Sequence, residues 1–177
     1  MTKITIHING KEIAAQISDE AAVELLQGKK TGYERVAKGE EYFCEDHDGF
    51  TVSCIEDGSV TCNTRYRNGN YTNDHTIGQG NTRADKLIAQ LRQWQALNDA
   101  LVDWSILRKR RWYIWYNYED ENIEVACHRS GRDMAVTYFS SEEKAKEAAE
   151  VFHDELTWYF TEYRSRLDEP VRVKDTQ

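Results

Sequence analysis

The stretch 111-RWYIWYNYEDENIEVACHRSGRDMAVTYFSSEEKAKEAAEVFHDELTWYFTEYRSRL-167 decides how the rest of the chain is read. Residues 112–118, WYIWYNY, form its most apolar and aromatic run, and an acidic turn at 119–122 separates them from a second run, 123-IEVACH-128. Short apolar and aromatic runs bounded by turn residues read as strands. After the loop 129-RSGRD-133, a third run, 134-MAVTYF-139, leads into a helix. Ser140 and Glu143 stand at the spacing of a capping box, and Ala145, Ala148, Ala149, Phe152, Leu156, Tyr159, Phe160 and Tyr163 draw one apolar stripe down the residues that follow. A three-stranded meander has one apolar face, and the helix behind it can supply the cover.

The same plan is expected upstream. Strands at 41–45, 50–55 and 59–66 are joined by turns at 46–49 and 56–58, and a third turn follows at 67–70. A polar connection, 71–81, leads to a helix capped by Thr82, whose apolar positions are Ala84, Leu87, Ile88, Leu91 and Trp94, with Leu101 the last candidate. Before this unit, 3-KITIHI-8 and 11-KEIAAQI-17 flank Asn9-Gly10, the sequence of a tight hairpin turn. Ser18 then caps a short helix that Gly28 stops, and a basic connector runs over 29–41. The expected fold is α+β: an N-terminal hairpin, short helix and connector over 1–40, a first βββα unit over 41–103, a second over 104–168, and a flexible polar tail over 169–177.

With 177 residues and 40% hydrophobic content the chain can fill a core of its own. No run approaches the ~20 apolar residues of a membrane span, and the N-terminus alternates where a signal peptide has an apolar block. A cytoplasmic protein with no membrane partner is expected, and with it free thiols at Cys44, Cys54, Cys62 and Cys127. These cysteines lack the paired C-x-x-C spacing of a zinc site and read as small core residues, so no metal and no cofactor is expected. His7, His47, His75, His128 and His153 are scattered outside any catalytic motif, and the expectation is a protein that is not an enzyme.

Charge carries the remaining signal. The net charge is −8, yet positive residues concentrate at Arg108, Lys109, Arg110 and Arg111, beside Trp112 and Trp115, with Arg65, Arg67, Arg129 and Arg132 in or near turns. Arginines interleaved with aromatics hold phosphates and stack bases; the ordinary alternative is pairing with the acids of the next turn or strand. Carboxylates gather at Glu119, Asp120 and Glu121, and along the last helix at Glu143, Glu147, Glu150 and Asp154. An array of this kind can imitate a phosphate backbone on a cationic groove of another protein, or it can be the solvated side of an amphipathic helix.

The segments 30-KTGYERVAKGEEYF-43, 65-RYRNGNY-71, 110-RRWYIWYNYEDENIEV-125 and 138-YFSSEEKAKEAAEVFHDELTWYF-160 resemble small accessory proteins encoded by phages and prophages of Gram-positive bacteria. The similarity covers about 29–160. Such proteins often show a GN-x-F turn before a T/S-x-x-x-A helix start; Asn70, Tyr71 and Thr72 follow that pattern only in part, and 73–81 is longer and more polar. The resemblance implies a host-defence inhibitor, a group that includes anti-CRISPR proteins, which binds a nucleic-acid-handling defence enzyme and blocks it. Two further readings stand beside it: a nucleic-acid-binding module built on the basic clusters, and a pocket that captures a small anionic nucleotide.

Overall fold

Alternating residues do form paired strands. In the computed structural model, which describes residues 2–8, 11–18, 31–133 and 136–168, β1 (Thr2–Ile8) pairs antiparallel with β2 (Lys11–Ile17), from Thr2 opposite Ile17 to Ile8 opposite Lys11. The Asn9-Gly10 turn, the helix expected between its cap Ser18 and Gly28, and the tail 169–177 lie outside the described residues, Ser18 itself excepted.

β3 (Glu41–Glu45) and β4 (Thr51–Ile55) form the second hairpin, with Tyr42 opposite Cys54 and Cys44 opposite Val52. Its turn is closed by Asp46, whose Oδ1 accepts from the amides of Asp48 and Phe50. The expected third strand over 59–66 is instead a helix, α1 (Val60–Arg67), capped by the Ser59 hydroxyl on the Cys62 amide. Val60 and Thr61 have strand-like side chains, but only Cys62 of this segment is buried and Val60 is 79% exposed. Without a buried face to reward the alternation, the cap and the two C-terminal arginines favour the helix.

The edge of β3 is completed elsewhere, where Phe43 and Thr72 exchange backbone hydrogen bonds of 2.7 and 2.9 Å. Asp74 then caps α2 (His75–Asn98) by accepting from the amides of Thr76 and Ile77. This helix was expected to begin at Thr82; two glycines that read as loop signals lie inside it. A Cβ on Gly78 would stand 3.0 Å from Thr51 Cγ2 and 3.2 Å from Thr72 Cγ2, so the glycine lets the helix lie against the second hairpin.

β5 (Arg111–Asn117) and β6 (Asn122–His128) form the third hairpin, Arg111 opposite His128. The third strand was expected over 134–139, of which 134 and 135 lie outside the described residues; within 136–139 only Phe139 pairs, exchanging backbone hydrogen bonds of 3.1 and 2.7 Å with Trp112. In both units the bridging residue pairs with the first strand, not the second, and stands two positions before the helix cap. The two units therefore share a plan, and among the described residues each is a hairpin with a one-residue bridge on its first strand in place of the expected βββα meander.

Ser141, not Ser140, caps α3 (Glu142–Val151) through the Lys144 amide, while Ser140 donates to Asp99 and accepts nothing from the helix. The single helix expected to reach Tyr163 is segmented at Phe152 into α3, α4 (His153–Trp158), a π-helical turn (Tyr159–Tyr163) and α5 (Arg164–Asp168). The stripe still works as expected: Ala145 and Ala148 pack on Phe139, and Leu156 packs on Leu87 and Leu91.

Helix α2 joins the two units. Its N-terminal half sits on the second hairpin, where Tyr42, Cys44, Cys62 and Tyr71 form one core; Leu87 and Leu91 of its C-terminal half enter the core of the third. Among the described residues the strands form three separate two-stranded sheets. No helix among them is long and apolar enough to cross a membrane.

Candidate nucleic-acid interface

Arg111 opens β5 and is 3% exposed. Its Nη1 donates to the carbonyls of Lys109 (2.9 Å) and Arg129 (3.4 Å), and its Nη2 to those of Asp103 (2.9 Å) and Ile106 (2.8 Å). The same guanidinium lies over the Trp104 ring at 4.4 Å. A buried cation has to be surrounded by acceptors, and here the connector 103–110 wraps its backbone around one. Arg111 is thus a structural pin, which corrects its expected place among the binding cations.

The pin shapes what surrounds it. Asp103 Oδ1 accepts from the Ser105 hydroxyl and amide, and these bonds, with Lys109 and Arg111 nearby, hold its carboxyl below the usual range. Arg108 takes a left-handed backbone (φ 61°). Arg108, Lys109 and Arg110 all remain exposed, beside Leu101, Ile106 and Leu107, of which Leu101 and Leu107 are about nine-tenths exposed.

Across the hairpin, 129–133 brings Arg129 and Arg132 to the same end, with Arg132 4.9 Å from the Trp104 ring. Asp133 anchors this loop: its amide donates to Tyr138 Oη, which donates back to Asp133 Oδ2, and His128 Nε2 lies 3.3 Å from the same oxygen. Burial and the Asp133 carboxylate push the Tyr138 hydroxyl above its ordinary range. Tyr113 stacks on His128 at 4.9 Å and Trp104 meets Tyr138 edge-on at 5.1 Å. Segments 103–111 and 128–133 hold six guanidinium or ammonium groups against two carboxylates, Asp103 and Asp133.

The aromatics expected to stack bases do other work. Trp112 is half-buried against the Phe139, Ala145 and Ala148 core, and Trp115 lines an apolar groove of about 420 Å³ with Leu87, Ile88 and Phe160. Arg65 belongs to the first unit, where Nη1 donates to Tyr42 Oη and Cys54 Sγ; Arg67 is exposed at the end of α1, beside Arg35 and Tyr66.

Acidic candidates fall into two places. Glu119, Asp120 and Glu121 form the exposed β5–β6 turn, at the end of the hairpin opposite Arg111, about 20 Å away for a strand of this length. The turn is held by Asn117, whose Oδ1 accepts from the Glu119 and Asp120 amides. Glu143, Glu147, Glu150 and Asp154 are exposed on α3 and α4, but that face is charge-mixed: Lys144 pairs with Glu147 and Lys146 with Glu142. Backbone N–H at the helix start and the Ser141 hydroxyl hold the Glu143 carboxyl below its usual range.

A cleft of about 410 Å³ between α2 and the C-terminal helices escaped sequence reasoning; Arg83, Trp158, Tyr163 and Arg166 line it. Arg83 is paired with Glu155 and lies 3.9 Å over Trp158. Among the described residues, the groups nearest to metal-ligand spacing are Glu56, Asp57 and Cys62. The buried Glu56 carboxylate, however, already accepts from Arg35 Nε and Nη2, Gly58 N and Tyr71 Oη, which makes it the centre of a structural network. Compared with protein-family models, curated proteins and solved structures, the chain matches none.

Proposed function

We propose that this is a non-catalytic binding protein that grips the phosphate backbone of a nucleic acid with the basic end of its third hairpin. The observation that carries the reading is the Arg111 pin: a buried guanidinium orders 103–110, so that Arg108, Lys109 and Arg110 stand exposed next to Arg129 and Arg132. Cations on an ordered loop lose less freedom on binding than cations on a loose one. Backbone contact fits better than base stacking, because Trp104 and Tyr113 are already stacked within the fold. The acid-rich remainder of the surface confines the attraction to this end. Titration of labelled single-stranded and duplex oligonucleotides at low salt tests it by anisotropy, and absence of binding to both contradicts it.

A second reading follows the resemblance to phage accessory proteins: inhibition of a nucleic-acid-handling host defence enzyme. The exposed Glu119, Asp120 and Glu121 turn favours it, because among the described residues no lysine pairs with its three carboxylates as lysines do along α3. A nuclease that loses activity in the presence of the protein, and recovers it when these three residues become Gln, Asn and Gln, would support this reading over the first.

A further inference from the structure

The first hairpin unit contains a thiol arrangement that core packing alone does not require. Cys44 and Cys54 lie on the same face of β3 and β4, one register step apart on the diagonal, and their sulfurs are 3.6 Å from each other. The Arg65 guanidinium donates to Cys54 Sγ at 3.1 Å. Its other hydrogen bond is to Tyr42 Oη, and among the described residues no carboxylate pairs with it. Placing an arginine against a sulfur gives that sulfur an electropositive neighbour, and Cys54 is the partly exposed member of the pair while Cys44 is 2% exposed. Reactive cysteines share those two properties, exposure and a nearby cation.

We infer that Cys54 and Cys44 form a peroxide-reactive dithiol, with Cys54 as the attacking residue and Cys44 as the resolving one. In the first step the Cys54 sulfur attacks one oxygen of a hydroperoxide; an S–O bond forms, the O–O bond breaks, and the leaving oxygen departs with the thiol proton, as water when the oxidant is hydrogen peroxide. The sulfur is oxidised by two electrons to a sulfenic acid and the peroxide is reduced. In the second step the Cys44 sulfur attacks Cys54; the S–S bond forms, the S–O bond breaks, and the hydroxyl leaves with the Cys44 proton as a second water. Closing the pair to a disulfide requires the sulfurs to approach by roughly 1.5 Å, within reach of side-chain rotation and a small strand adjustment.

The roles follow from the surroundings. Burial, then the hydrogen bond with Cys54, pushes the Cys44 thiol up to about 11, so Cys44 keeps its proton until the sulfenic acid forms beside it. Cys62 is a poor resolving residue, because its sulfur donates to Asp57 Oδ1 at 3.1 Å and accepts from Tyr42 Oη. Cys127, in β6 of the other unit, serves as an internal reference.

The test treats the wild-type protein with hydrogen peroxide, quenches with a maleimide under denaturing conditions and maps unreduced peptides. The expected result is loss of two alkylatable thiols per peroxide consumed, a Cys44–Cys54 bridged peptide, and full alkylation of Cys62 and Cys127. Cys44→Ser is expected to leave a sulfenic acid on Cys54 that dimedone traps, and Arg65→Gln to slow oxidation about 10-fold. Oxidation of Cys54 no faster than that of Cys127, or a bridge between any other pair, overturns the inference; both are read on the wild type, so neither depends on a variant that folds.

Discussion

The Arg111 guanidinium lies 4.4 Å from the centre of the Trp104 ring and donates to the carbonyls of Asp103, Ile106, Lys109 and Arg129. A connector with no regular structure is ordered by one side chain, and the exposed cations owe their positions to it. Arg111→Met keeps the stem and removes the donors that hold the carbonyls of Asp103, Ile106, Lys109 and Arg129. It should cost about 3 kcal/mol in denaturant unfolding and speed amide exchange over 103–110 more than elsewhere. Unchanged exchange in that loop would remove Arg111 from its place as the pin.

Gly78 offers a reversal of an ordinary rule. Glycine to alanine inside a helix normally stabilises by about 1 kcal/mol. At Gly78 the added methyl would meet Thr51 and Thr72 at 3.0 and 3.2 Å, so Gly78→Ala should destabilise by about 1–2 kcal/mol. A raised melting temperature would show that α2 does not press on the second hairpin as described.

Phe139 is fully buried between α3 and β5 and also supplies the backbone bridge to Trp112. Phe139→Ala should cost about 3–5 kcal/mol, while the exposed Leu107→Ala should leave stability within about 0.5 kcal/mol of wild type. The pair separates core from surface in one set of urea melts.

Acid should loosen the first unit through Glu56. The Arg35 guanidinium hydrogen-bonded to it, helped by Gly58 N and Tyr71 Oη, lowers its carboxyl from 4.5 to about 2. Because the folded value is the lower one, the contribution is complete above about pH 4.5 and is lost as pH falls toward 2. Glu56→Gln should therefore be less stable than wild type at pH 7, and the gap should narrow across that window. A gap that stays constant from pH 6 to pH 2.5, in roughly the range over which such linkage acts, would contradict the assignment.

Much of this architecture is legible in the order of the residues, because period-two alternation marks the N-terminal hairpin, short apolar and aromatic runs bounded by turn residues mark the other two, and the stripe from Ala145 to Phe160 marks the C-terminal cover. The third strands mislead for a physical reason. Val60 to Thr64 carries strand-forming side chains, but its fate is set by whether a core lies beneath it, and the residue that does complete β3, Thr72, pairs alone and so leaves no pattern. The start of α2 is hidden because Gly78 acts through close approach and reads as a loop residue. At the candidate site the run Arg108 to Arg111 is visible at once. That Arg111 turns inward is not, since its partners are backbone carbonyls, which any sequence supplies.

The salt dependence of nucleic-acid binding tests the central claim most directly. If Arg108, Lys109 and Arg110 each neutralise a phosphate, replacing all three by alanine should weaken binding to every sequence alike and reduce the slope of log K against log salt by about 2–3. Replacing Glu143, Glu147 and Glu150 by glutamine should leave that slope unchanged. A wild-type protein that fails to bind at low salt, or a triple alanine variant that keeps the wild-type slope, would contradict the assignment of this end of the hairpin as a phosphate grip.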